Sequence, residues 1–183
     1  MVAPPTFTAA AVSGSLHAPS KSTALLGAIT DSLARKVKIE VTVVEVSALG
    51  AGLGGALTRG QLDEPAAAAI AAVEAADLLV VASPVYRASY TGLFKHLFDL
   101  VGQGSLSGTP VIVAASGGSD LHSLVIEHEL KPLFAFFDAA TLPLGIYAKD
   151  ADYSDYSVTG EALLERIERV TSSAAEVLAG AGR

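Results

Sequence analysis

Residues 77–84 read DLLVVASP, an uninterrupted apolar run closed by serine and proline. A strand with one face in water alternates apolar and polar residues, whereas a run without alternation has both faces covered, as in a parallel sheet wrapped by helices. Phe7–Val12 and Thr109–Ser116 (TPVIVAAS) share this continuous pattern. Ile39–Val46 (IEVTVVEV) is β-branched with polar residues interleaved, and Ala140–Tyr147 (ATLPLGIY) is a fifth apolar run. Segments with helical spacing or high alanine content lie between them, at Ser22–Arg35, Pro65–Ala76, Thr91–Val101 and Ser119–Phe137, and Gly160–Ala179 comes last. Strands and helices in this alternation predict an α/β doubly wound sheet.

Composition agrees with one domain covering residues 1–183, which at this length buries roughly 70% of its unfolded surface. Hydrophobic residues make up 51% of the chain and charged ones 17%, so much of it is buried, in a core or against other subunits. The formal net charge of −7 disfavours nucleic acid, which selects basic surfaces. With no cysteine, thiolate nucleophiles, disulfides and iron–sulfur clusters are excluded, and any redox chemistry must come from a cofactor. The start, MVAPPTFTAAAVSG, has no basic leader, and no apolar run approaches the ~20 residues that span a bilayer, so a cytoplasmic location without membrane attachment is expected.

Five strands suit the flavodoxin-like order 2-1-3-4-5, in which a ligand sits beyond the carboxyl ends of the strands, near the switch between the first and third. Three loops are selected by that rule. The first, SGSLHAPSKS, sets Ser13, Ser15, Ser20 and Ser22 around Gly14, with Lys21 beside a helix start at about Ser22 or Thr23. Free N–H groups at a helix start, hydroxyl donors and one lysine form a phosphate cradle. The alternative is that Ser20 or Ser22 only caps the helix. The second loop offers Ser83, Pro84, Val85, Tyr86 and Arg87, and the third, Ser116-Gly117-Gly118-Ser119, lets backbone approach a flat ring without Cβ bulk.

Other patterns carry less. Gly50 to Gly55 (GAGLGG) follows the second strand without a capped helix after it, so it is read as a mobile loop and not as a dinucleotide fingerprint. No histidine pair has i, i+4 spacing, and no metal is assigned; His17 and His122 fall in site loops, where they can touch a ligand. GSLSG at 104–108 puts Leu106 where a hydrolase nucleophile would stand. Pro132 cannot donate to the carbonyl of His128, so the fourth helix is expected to bulge in π fashion there, or else to break and restart after Lys131.

Taken together, SPVYRASYTGLFKHLFDL, the SGGS turn followed by His122, and EHELKPLF resemble the NAD(P)H-dependent FMN reductases of two-component flavin systems, especially the partners of methanesulfonate and alkanesulfonate monooxygenases. The likeness runs over nearly the whole chain. It implies that Ser13, Ser15, Ser20, Lys21 and Ser22 hold the FMN phosphate, that Pro84, Val85, Tyr86 and Arg87 line the flavin, and that Ser116, Gly117 and Gly118 approach the isoalloxazine. Leu16 and His17 stand where alkanesulfonate-type members have proline and arginine, so this loop is more similar to the methanesulfonate type. His128 stands where the alkanesulfonate type has a tyrosine, in a π-helix at a tetramer interface. The implied reaction is hydride transfer from nicotinamide C4 of NADH or NADPH to flavin N5, with reduced FMN passed to a separate monooxygenase by a homodimer or homotetramer. No side chain is assigned as acid or base. The alternatives are a quinone, azo or chromate reductase that keeps its FMN, and a flavodoxin-like electron carrier; the lack of tryptophan to cover a flavin disfavours the carrier.

Overall fold

The structure, a computed structural model, describes residues 6–181. Six parallel strands form the main sheet: β1 (Phe7–Ser13), β2 (Ile39–Glu45), β3 (Leu78–Pro84), β4 (Pro110–Gly117), β5 (Ala140–Thr141) and β6 (Ile146–Lys149). Their order is β2-β1-β3-β4, with both β5 and β6 paired to β4. This is the expected 2-1-3-4-5 order, in which the fifth strand is made of two pieces. Ala140–Tyr147 was expected to be continuous; instead pairing stops after Thr141 and resumes at Ile146. Pro143 has no N–H to give the ladder, which is tolerated because this is the sheet edge.

Both faces are covered. Helices α1 (Lys21–Ala34) and α6 (Glu161–Ala181) lie on one, and α2 (Val46–Gly54), α3 (Glu64–Ala75), α4 (Gly92–Asp99) and α5 (Lys131–Ala135) on the other. Along β1 the side chains divide accordingly, Ala9 and Ala11 joining the α1/α6 layer and Ala10 and Val12 the opposite one. Every residue of β3 from Leu78 to Ser83 is buried, which is why DLLVVASP shows no alternation, while edge strand β2 leaves Val43 exposed. In α1, Leu25, Leu26, Ile29 and Leu33 make the buried stripe expected at a 3.6-residue period. The opposite layer is organised by Phe98, whose ring centroid is 4.9 Å from that of Phe94 and 5.0 Å from that of Phe134.

Two further segments differ from the sequence expectation. Gly50 to Gly55 is not a loop: it lies in and just after α2, which is broken only at Gly50, where φ is +48°. Buried Val46 and Leu53 anchor this helix to the core, and their contribution outweighs the low helix propensity of four glycines. Ser119–Phe137 is not one helix but a 3₁₀ turn at Asp120–His122, a π-helix at Ile126–Leu130 and then α5. The π-helix ends one residue before Lys131-Pro132, in agreement with the bulge expected from the missing proline N–H. A small hairpin, β7 (Tyr153–Ser154) with β8 (Ser157–Val158), follows β6; left-handed Asp155 (φ +44°) and Tyr156 (φ +62°) make the tight turn whose twist suits such a loop.

Candidate functional site

The parallel register brings the carboxyl ends of the central strands level: Ser13 of β1 is opposite Ala82 of β3, and Pro84 of β3 is opposite Ser116 of β4. Beyond them lies an open crevice of about 310 Å³. Its wall is drawn from the three loops and from the segment after β6.

The first loop is tightly tied. Gly14 N donates to Ala82 O at 2.8 Å, and Thr91 Oγ1 donates to Gly14 O at 2.6 Å. A Cβ at Gly14 would stand 2.8 Å from Ser83 Oγ and 3.0 Å from the Phe94 ring, so only glycine fits. Ser15 Oγ donates to His17 O at 2.9 Å and accepts from His17 N at 3.3 Å, folding SLH into a turn. Ser20 is the N-cap of α1, with extended backbone and a side chain that accepts from Thr23 N at 3.3 Å. The helix therefore starts at Lys21, one residue earlier than its sequence pattern indicates. Because the cap oxygen acts only as acceptor there, the Ser20 hydroxyl proton remains available, as do the N–H groups of Lys21 and Ser22, which the geometry of a helix leaves without partners.

Ser22 points inward and shares a hydrogen bond with Ser116 at 2.8 Å, both residues being buried. Ser13 is fully buried below the crevice and shares a hydrogen bond with Thr23 Oγ1 at 2.8 Å. In the second loop Val85 N donates to Ser116 O at 2.9 Å, and Tyr86 and Ser89 exchange backbone hydrogen bonds around left-handed Arg87 and Ala88. That turn presents Tyr86 to the crevice and carries Arg87 away from it. At the end of β4, a Cβ on Gly117 would collide with the Tyr147 hydroxyl, which donates to Ser119 O at 2.6 Å. Burial, then Asp120 and Asp150, push the Tyr147 phenol above its ordinary pKa, so it remains a donor at neutral pH.

Of the residues selected from sequence, Ser15, Ser20, Lys21, Ser22, Pro84, Val85, Tyr86, Ser116, Gly117 and Gly118 meet around the crevice. Ser13, Arg87 and His122 do not line it; His122 is exposed on the 3₁₀ turn. His17 and Pro19 do, and so do Asp150 and Tyr156, which sequence reading did not single out. Asp150 pairs with Lys21 at 2.8 Å. Thr91 was also missed; it caps α4 and braces Gly14, and its place directly before Gly92-Leu93-Phe94 was an available capping signal.

A doubly wound parallel sheet with hydroxyls, helix-start N–H groups and one lysine at its switch point, facing a glycine turn, defines a flavodoxin-like fold whose crevice carries donors of the kind that suit an anion. The donor set fits the phosphate of FMN, and Gly118, with open space where a Cβ would stand, fits a flat ring beside it. Residues 7–153 match the family described as NADPH-dependent FMN reductase, and the chain belongs to that family. It is 51% identical over 160 residues to the NADH-dependent FMN reductase SfnF of Pseudomonas putida, covering 87% of this chain and 86% of that one. Over 174 residues it is 44% identical to an FMN reductase (NADPH) of Pseudomonas aeruginosa, covering 95% and 94% of the two chains. A solved oxidoreductase from Corynebacterium diphtheriae superposes with a TM-score of 0.85 at 32% identity, covering 96% of this chain and 98% of that one.

Proposed function

We propose that this protein is a single-domain cytoplasmic reductase that uses NADH or NADPH to reduce FMN and releases the reduced flavin to a separate monooxygenase, of the kind that acts on sulfonates. The observation that carries this reading is the α1 start, where Ser20 O–H, the Lys21 and Ser22 N–H groups and the Lys21 ammonium converge on one end of the crevice. Names of similar proteins include both an NADH- and an NADPH-dependent enzyme, so the reading takes in either donor. Among the described residues no helix is long and apolar enough to cross a membrane.

In this mechanism Ser20, Lys21 and the α1 N–H groups, that of Ser22 among them, grip the phosphate, while Ser15 shapes the loop beside them and the inward Ser22 hydroxyl braces the site through Ser116. Pro84, Val85 and Tyr86 form one wall for the ring, and Ser116, Gly117 and Gly118 form the other. The bound pair of cofactors supplies hydride transfer from nicotinamide C4 to flavin N5. The chain's own task is to hold the two rings in contact and keep water out, and it needs no acid or base. Ser13, buried behind the loop, supports it through Thr23, and Arg87 and His122, which do not line the crevice, are given no part in holding the flavin.

The assembly is a homodimer or homotetramer with the His128 region at an interface. Phe136 is 65% exposed, and a cavity of about 600 Å³ beside it is lined by Tyr90, Phe98, His128, Pro132 and Leu133. Apolar surface of that kind marks a contact site.

The deciding experiment follows NADH and NADPH oxidation with FMN, FAD and a quinone as acceptors. FMN-dependent turnover with reduced flavin free in solution is expected. Flavin retained through turnover, with a quinone required, would overturn the reading in favour of a quinone-type reductase.

A further inference from the structure

The phosphate end of the crevice contains a contradiction in charge. Among the described residues lining it, Lys21 is the one ammonium or guanidinium and Asp150 the one carboxylate, and the two are paired at 2.8 Å. A site built to retain a phosphate dianion would leave its lysine free. Here the lysine is occupied, and a second anion faces the place where phosphate charge would sit.

Asp150 is not an incidental surface acid. Lys149 N donates to Asp152 Oδ2 at 2.8 Å, and Lys149 Nζ pairs with Asp120 at 3.0 Å, fixing the backbone before it. Thr159 N and Gly160 N both donate to Asp152 O, at 2.8 and 3.1 Å, closing the strap after it. Tyr153 packs against the α1/α6 core, and Lys21 Nζ lies 5.5 Å from the centre of its ring. Lys21 is thus drawn toward the strap by a carboxylate and by an aromatic face together. Asp152, two residues further on, is turned onto Lys149 N, and Asp150 is the carboxylate that lines the crevice.

We infer that Asp150 is an affinity-setting residue that weakens the hold on the FMN phosphate, by competing for Lys21 and by like-charge repulsion, and so keeps the flavin exchangeable. This rests on the flavin reading above and deepens it, because a reductase that delivers free reduced FMN must let go of the product. The pair is partly open to water, with side-chain exposures of 36% for Lys21 and 65% for Asp150, so the effect is moderate.

The test is equilibrium binding of oxidised flavin, read by quenching of flavin fluorescence, with no nicotinamide present. For Asp150→Asn, and for Asp150→Ser as a second neutral variant, the Kd for FMN should fall roughly 3- to 10-fold. The Kd for riboflavin, which has the ring but no phosphate, should change less than about twofold. Asp150→Glu, which keeps the charge, should stay near wild type. Adding salt should weaken FMN binding more steeply in the neutral variants, whose lysine is no longer screened by its own partner. Unchanged or weaker FMN binding in both neutral variants, or equal tightening for FMN and riboflavin, would overturn the inference while leaving the flavin reading intact. Wild-type protein that binds neither flavin overturns that reading itself, and this inference with it.

Discussion

The hydroxyls of Ser22 and Ser116, 94 positions apart in the chain, share a hydrogen bond of 2.8 Å inside the protein. It joins the first turn of α1 to the last residues of β4, the two elements whose ends form opposite sides of the crevice. A buried hydroxyl without a partner costs about 1–3 kcal/mol, whereas removing both partners restores much of that. Ser22→Ala and Ser116→Ala should each lower stability by about 1–2 kcal/mol, and the double variant by less than their sum. A double-mutant cycle in urea, with FMN affinity measured alongside, checks this; strict additivity would show that the pair does not act together.

Gly14→Ala should be costly for a steric reason. Its Cβ would stand 2.8 Å from Ser83 Oγ and 2.9 Å from Ser83 Cβ, both fixed by the buried strand, and a shift of the loop would strain the 2.6 Å bond from Thr91. Crowding of this kind costs about 1–3 kcal/mol. Chemical denaturation should show that loss, and FMN titration should show weaker binding. A variant as stable as wild type would mean that the loop has room to move.

A pH effect on stability is expected from Glu74. Arg59, through its side-chain hydrogen bonds, holds the Glu74 carboxyl below the usual carboxylate range; burial acts in the other direction, and Gly102 N adds a hydrogen bond at 2.7 Å. An acid whose folded-state pKa is lowered contributes stability that is complete above its unfolded value of about 4.3 and is lost as pH falls through the folded value. Melting temperatures of wild type and Glu74→Gln should therefore differ at pH 7, by about 1 kcal/mol of stability, and converge as the pH is taken below about 4. Parallel curves over that range would remove the carboxylate as the cause.

The exposed ring of Phe136 offers a test of assembly. Light scattering should find wild-type protein as a dimer or tetramer, and Phe136→Glu should lower the mass, because a charge buried in an apolar interface is strongly unfavourable. Wild-type protein that stays monomeric at every concentration would exclude the interface.

The doubly wound parallel sheet was legible in the sequence because burial on two faces erases alternation, as DLLVVASP, TPVIVAAS and Phe7–Val12 all show, and the count of five strands then selected the order. Once the order was known, the meeting of Ser20, Lys21, Tyr86 and Gly117 followed from the rule that ligands gather at the carboxyl ends of the strands. Pro132 announced the π-helix because a missing N–H is a local property. These are effects of a residue on its neighbours or of burial on a pattern, and the chain carries them in its own order.

Tertiary structure decided the rest. Propensity argued against a helix at Gly50 to Gly55, but the anchoring of Val46 and Leu53 in the core outweighed it. Lys21 and Asp150 are separated by 129 positions, and nothing near either residue indicates the other. Which carboxylate faces the cradle, which serine turns inward to Ser116 and which arginine swings out on its turn all depend on how distant segments pack. Those contacts form only when the sheet and its helices bring together residues far apart in the chain, so no local stretch of sequence encodes them.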